Sequence, residues 1–370
     1  MQLTSEFQRL TVIFLLWNLG LAFSGYLVFP SFAALGFSLE QMLFLSIFNY
    51  LIPLIYLLVF REYDSKNSIP LGIFSVAIAY LAYVLLGGVV GAFLLFAIGA
   101  LSFFLFWTPF NYFWFSIQKE NASHSSLYNA IMMILGLMMP ALSGLLAQQF
   151  GFNYVFLGTA ILLTIAAIVA WKLAPHKKVS LHLGESLNLL SGFRTLIFLE
   201  GFYQVAPVFL ITIISIQYFP KPADFGLFIS LAAILSIASS FILSKISDKS
   251  KQRREFIIIS AIGVALSTIF AASVNDLVWW FIAVSLVNFF RVVFFPFPLA
   301  LMLDFKKCPP EIMYSREIML NLGRSVGSVF SLILYLITGS LLIPLMLVGF
   351  SMLIYAALFE LIKLKKIQVT

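Results

Sequence analysis

Between residues 8 and 362 the sequence is a succession of apolar runs, each about 19–28 residues long, separated by short polar breaks. Runs of that length cross a bilayer as tilted helices. Their approximate bounds are 8–30, 39–60, 69–87, 90–117, 125–148, 151–173, 194–219, 225–246, 255–273, 277–303, 311–337 and 341–362, so twelve spans are expected. In hydrocarbon, backbone N–H and C=O groups must be satisfied within helices or closed barrels. None of the runs alternates with period two, which argues against a barrel. The expected fold class is an all-α polytopic membrane protein. Composition agrees: 62% of residues are hydrophobic and 10% charged, whereas a soluble domain is about half apolar and a quarter charged. The first run exceeds a signal-peptide core and no small-residue cleavage pattern follows, so it is expected to remain as a span.

The positive charges orient these spans. With the N-terminus inside, 18 of the 22 Lys and Arg residues fall in cytoplasmic loops or termini, and only Lys221 falls outside. The other three, Arg291, Arg316 and Arg324, lie within spans. This asymmetry follows the positive-inside rule and requires an even number of spans. It places both termini in the cytoplasm and assigns the net charge of +7 to lipid head groups, not to nucleic acid. A multi-pass protein of the cell membrane, monomeric, is expected.

Residues 174–193 form the longest polar interruption and divide the chain into segments 1–173 and 194–370, with six spans each. This linker has the moderate amphipathicity of a connector lying on the membrane surface. A shift of 187 residues superposes landmarks of the two segments: Phe103 on Phe290, Pro109–Phe110 on Pro296–Phe297, and "IMMILG" (131–136) on "IMLNLG" (318–323). An offset of six spans preserves orientation, so two parallel six-helix pseudo-repeats are expected. In secondary transporters so built, the substrate site lies near the midplane between repeats.

With those features in place, the chain resembles the major facilitator superfamily. The loop "SKISDKSKQRR" (244–254) is similar to that family's cytoplasmic gate motif, with Asp248, Lys249 and Arg253 matching and both family glycines replaced. The corresponding loop of the first segment, "FREYDSKNS" (60–68), keeps only Asp64 and Lys66. Gly136, Pro140 and Gly144 resemble the family's glycine-proline helix. The resemblance implies alternating access between two helical halves, with Asp248, Lys249 and Arg253 in gating.

The residues that could carry chemistry are polar groups within spans. Glu317, Asn321 and Arg324 are spaced i, i+4, i+7 and share one helical stripe; Arg316 is turned about 100° from it. Charges at bilayer depth cost about 2.5–3.5 kcal/mol each on insertion scales, so these must face the bundle interior or water. Glu317 and Arg324 are about 10 Å apart along the axis, which predicts that each pairs with a different partner. Arg316 and Glu317, near the cytoplasmic end, are expected to pair at the gate. Arg324 is deeper and is expected to meet substrate or coupling ion. Arg291 lies mid-span, with Asn288 three residues before it.

Glu200 stands in the seventh span, with Tyr203 and Gln204 at i+3 and i+4. Burial and a neighbouring Arg pull a carboxylate's protonation in opposite directions, a combination suited to a proton carrier. The competing expectation is a fixed ion pair with Arg291 or Arg324. The spans hold three Arg against two Glu, a slight bias toward an anionic substrate, unless Asp304 completes the pairing. Trp107, Asn111 and Trp114 in the fourth span, with Asn18 and Asn49, offer aromatic faces and amides suited to a partly apolar ligand.

No Walker loop or metal-ligand cluster is present, and Cys308 is the lone cysteine. ATP-driven transport, a metal site and a cofactor are therefore not expected. The expectation is a secondary transporter for a small organic solute, with a proton gradient as the candidate driving force and no enzymatic activity. The alternative is a receptor or assembly partner of the same fold that does not transport.

Overall fold

The computed structural model describes residues 5–116, 121–247, 253–295, 298–299, 301–302 and 310–361, with the side chains of 121–130, 133, 235, 238–247 and 253 outside the description. Almost every apolar run is helical. The first span joins α1 (Glu6–Ser24), a 3-10 turn (Gly25–Leu27) and α2 (Val28–Ala34). Next come α3 (Leu39–Val59) and α4 (Ser65–Leu86), then α5 (Gly88–Gly99) and α6 (Thr108–Ser116), joined through a π-helical stretch at Phe103–Trp107. The helices α7 (Asn121–Phe150) and α8 (Phe152–Leu173) close the segment before the linker, which holds the short α9 (Leu183–Leu189). After it, α10 (Arg194–Val205) runs through a second π stretch, Ala206–Leu210, into α11 (Ile211–Tyr218). There follow α12 (Pro222–Ser247), α13 (Arg253–Ser273), α14 (Leu277–Phe294), α15 (Pro310–Thr338) and α16 (Leu342–Leu361).

Ten of these helical stretches, among the described residues, are long and apolar enough to cross a membrane. The described apolar portions of α7 and α12, Ile134–Phe150 and Pro222–Ile234, are shorter. Helix starts sit where the chain supplies caps. Ser5 with Gln8 and Ser38 with Gln41 form capping boxes, while Asp64 and Asp276 cap α4 and α14.

The burial pattern is that of a membrane protein. Ile337 and Leu85 are 75% and 71% exposed, whereas Glu200 is 2% exposed and Asn321 fully buried. In water, exposing so many large aliphatic side chains would be costly, and lipid removes the cost.

The linker makes contacts that its amphipathicity does not specify. Lys178–Ser180 (β2) pairs antiparallel with Glu62–Asp64 (β1), in the register Glu62↔Ser180, Tyr63↔Val179 and Asp64↔Lys178. The helix α9 follows and packs along α15. Leu181 and Leu190 are buried. Amphipathicity identified the apolar face, but not that a loop beside α4 would supply a strand edge for it.

Two close helix approaches depend on glycine. A methyl at Gly201 of α10 would collide with the Leu320 carbonyl of α15, and one at Gly323 with the Phe198 carbonyl. A methyl at Gly226 of α12 would collide with the Pro140 carbonyl of α7, and one at Gly144 with the Pro222 carbonyl. Without Cβ atoms the backbones approach closely, which is how small residues drive helix association in lipid. The α7–α12 contact joins the segments before and after the linker at the end opposite the β1–β2 ladder.

Candidate functional site

The α10–α15 approach brings six polar side chains into one buried network. Arg316 Nη2 donates to Glu200 Oε1 at 2.8 Å. Gln204 Nε2 donates to the same oxygen at 3.3 Å, while Gln204 Oε1 accepts from Arg324 Nε at 2.7 Å. Arg324 Nη1 donates to Asn321 Oδ1 at 3.3 Å. Glu317 lies between the two guanidiniums, 3.8 Å from each. Two carboxylates face two guanidiniums, so the network is neutral when fully ionised. Pairing and hydrogen bonding offset the cost of holding four charges away from water.

This geometry corrects two expectations. Glu317 and Arg324 do approach each other, because a long Arg side chain bends back along its helix and closes the axial gap. The ion-pair partner of Glu200 is Arg316, not Arg291 or Arg324. The close packing at Gly201 and Gly323 sets the level of α15 against α10, a relationship that spacing along either helix does not contain. Arg316 and Glu317, assigned by depth to a gate, and Arg324, assigned to substrate, belong to one network.

Arg324 also reaches across the bundle. Its Cζ lies 5.4 Å from the ring centre of Tyr50 on α3 and 5.9 Å from that of Phe103, the first residue of the π stretch before α6. Aromatic faces attract a desolvated guanidinium. Beside the π stretch the Thr108 hydroxyl donates to the Phe103 carbonyl at 3.1 Å, and Pro109 has no N–H to donate. Tyr50 in turn meets Phe209, in the second π stretch, with ring centres 5.2 Å apart. Sequence reasoning passed over Tyr50, next to the noted Asn49, and treated Phe103 only as a landmark of the repeat. An aromatic in a chain with 41 Phe and 14 Tyr carries no signal by itself.

Other candidates lie apart from the network. The Tyr203 hydroxyl is 3.3 Å from the Thr268 hydroxyl of α13 and is fully buried there. Asn18 is spent on its own helix, donating to the Phe14 carbonyl at 2.8 Å. Asn111 is buried, and its Oδ1 has no hydrogen-bond partner among the described residues. Arg291 and Asn288 are partly buried on α14 and, among the described residues, join no hydrogen bond or ion pair with this network. Asp248, Lys249 and Asp304, and the side chain of Arg253, lie outside the described residues.

At the ladder end of the bundle, the Tyr314 hydroxyl of α15 donates to the Leu57 carbonyl of α3 at 2.5 Å. Tyr314 and Ile318 pack with Leu54, Leu57, Tyr63, Phe104 and the linker's Leu181. Helices before and after the linker therefore meet at both ends, with the charged network between.

A polytopic helical membrane protein with a buried, charge-paired network between α10 and α15, faced by aromatic rings from helices before the linker, is the class these features define. The sequence model of the Major Facilitator Superfamily matches residues 113–328. The chain belongs to the major facilitator superfamily, whose members are transporters. Among solved structures it is similar to the human organic anion transporter MFSD10 (TETRAN), with 12% identity, a TM-score of 0.67, and coverage of 95% of this chain and 99% of that one. It is also similar to the E. coli fucose:proton symporter FucP, with 13% identity, a TM-score of 0.65, and coverage of 96% and 98%. A further FucP structure, in the outward conformation, gives 14% identity and a TM-score of 0.64 over 96% and 98%. At these identities the likeness is one of fold. No curated protein matches the sequence.

Proposed function

We propose that the chain is a secondary transporter that moves a small organic solute by alternating access. Twelve helices form two parallel six-helix bundles, residues 1–173 and 194–370, joined by the linker. Both termini face the cytoplasm of the cell membrane, and the monomer is the working unit. The observation that carries the reading is the position of Arg324. It is held by Gln204 and Asn321 of the second bundle and covered by Tyr50 and Phe103 of the first. A solute competing for that guanidinium would touch both bundles at once, as coupling of binding to rocking requires.

Arg324 is the anchor for the solute's polar group, with Gln204 and Asn321 orienting it and the Tyr50 and Phe103 rings receiving its apolar part. Arg291, outside the neutral network and partly buried, supplies the surplus positive charge that favours an anion. Asn288, Asn18, Asn111 and Tyr203 are supporting positions on neighbouring spans. Glu200 carries the proton: protonation removes its charge, releases Arg316 and leaves Glu317 as the remaining carboxylate for both guanidiniums. Asp248, Lys249 and Arg253 act at the cytoplasmic gate. Packing at both ends of the bundle supports an occluded state in which the site is sealed.

A thermal-shift screen of organic acids, sugars and amphiphilic compounds identifies the solute class. Flux of each hit into proteoliposomes, with and without a pH gradient, then tests the reading. Transport of a hit that stabilises the wild type but not Arg324→Ala supports it. Binding without flux in either direction overturns it.

A further inference from the structure

The linker is anchored at both ends, to different groups of helices. At its start it is tied to the helices that precede it. The Ser65 amide donates to the Lys177 carbonyl at 3.0 Å, the Lys177 amide to Ser65 Oγ at 2.8 Å, and Ser65 Oγ to the Pro175 carbonyl at 2.7 Å. His176 Nδ1 lies 3.0 Å from Asp64 Oδ1, and the Lys177 ammonium bonds the Tyr112 hydroxyl. The β1–β2 ladder ends where the Leu181 amide donates to the Arg61 carbonyl at 2.7 Å. From there the attachment changes. Helix α9 packs along α15, and Arg194 at the start of α10 donates to the Leu187 carbonyl and Asn188 Oδ1, each at 2.8 Å.

Leu181 sits at the crossover. It is 1% exposed and lies in the cluster of Leu57, Tyr63, Tyr314 and Ile318. When α15 moves away from α3, α9 moves with α15 and β2 stays with β1. The load falls on the Leu181 end of the ladder, which peels from that rung. A ladder with three paired residues per strand is short enough to fray at low cost.

We propose that residues 177–189 are a peelable strap, which must unzip from β1 for this end of the molecule to open, so that the linker sets the population of the open state. The proposal rests on the alternating-access reading above. It also accounts for the loop at 60–68, which lacks most of the gate motif: strand pairing with the linker takes over the restraint that the motif would supply.

The test uses Ile318→Cys, 4% exposed within the cluster, as reporter in a Cys308→Ser background. A strap lock is made by Glu62→Cys with Ser180→Cys, an opposed pair on the ladder. These two positions alternate with the hydrogen-bonded pairs, so their Cβ atoms are the closer kind for cross-strand bonding. Alkylation of the thiol introduced at position 318 by a soluble maleimide is followed by peptide mass spectrometry, in oxidised and reduced protein. Labelling tracks the open population. The lock is expected to slow labelling about tenfold or more and reductant to restore it, while Val179→Pro, which removes a ladder donor, speeds it. Equal labelling of locked and unlocked protein overturns the strap and leaves alternating access standing. If the reporter thiol resists labelling even in unlocked and Val179→Pro protein, this end does not open, and both readings fall.

Discussion

Arg324 donates to Gln204 across the α10–α15 contact at 2.7 Å while its Cζ lies 5.4 Å from the centre of the Tyr50 ring on α3. One guanidinium therefore links the polar network of α10 and α15 to aromatic faces on helices that precede the linker. Arg324→Lys should retain the charge and lose the fork that reaches Gln204 and Asn321 together, because an ammonium is a compact point charge. Flux in proteoliposomes is expected to fall about tenfold or more at equal protein density. Unchanged flux would mean that the fork is dispensable.

Tyr50→Leu and Phe103→Leu should weaken solute binding and spare folding. Losing apolar contact equivalent to one or two methylenes of the solute costs about 0.8–1.6 kcal/mol, which corresponds to a rise in apparent KM of about four- to fifteenfold. Detergent-purified variants should remain monodisperse. A fall in maximal rate with KM unchanged would remove the rings from the site.

The Glu200–Arg316 pair separates coupling from stability. Glu200→Gln should abolish flux driven by a pH gradient and preserve solute exchange, the reaction that needs no net proton movement. Gradient-driven flux that persists in Glu200→Gln refutes the proton-carrier role. Breaking a buried ion pair on one side costs about 3–5 kcal/mol, whereas replacing both partners by apolar groups is far less damaging. Denaturant unfolding of Glu200→Ala, Arg316→Met and the double variant should therefore show strong coupling between the two positions.

The glycine contacts should tolerate no side chain. Gly226→Val and Gly323→Val place atoms against backbone carbonyls that cannot move without separating helices. Size-exclusion profiles should show loss of folded protein. Gly184→Ala on α9, where open space surrounds the added carbon, should behave as the wild type.

How much of this was legible in the sequence depends on the range of the interaction. The positions of the ten described spans largely were, because a span is fixed by a run of apolar residues and its cap: α3 starts at Leu39 behind Ser38, and α8 ends at Leu173, close to the expected bounds. The candidates for the network were also legible, since Glu200, Arg316, Glu317 and Arg324 are costly at membrane depth and must be used or paired. Their pairing was not. Whether Glu200 meets Arg316 or Arg324 turns on how closely two glycines let α10 and α15 approach, a tertiary quantity. Helical spacing along α15 also underrated the reach of Arg324 back to Glu317. The β1–β2 ladder was invisible for the same reason: strands of three residues carry no periodicity, and their partners are more than a hundred residues apart.

In the proposed mechanism, the helices before and after the linker rock about the buried network. This motion is tested most directly by spin-label distances across each end, measured by double electron–electron resonance in nanodiscs. One pair, Glu62→Cys with Glu311→Cys, spans the ladder end, and a second, Tyr154→Cys with Ile337→Cys, spans the opposite end, each in a Cys308→Ser background. Alternating access predicts two populations at each end whose weights shift in opposite directions between pH 5 and pH 8, with the shift lost in Glu200→Gln. A single unchanging distance at both ends, or opening of both ends together, would contradict it.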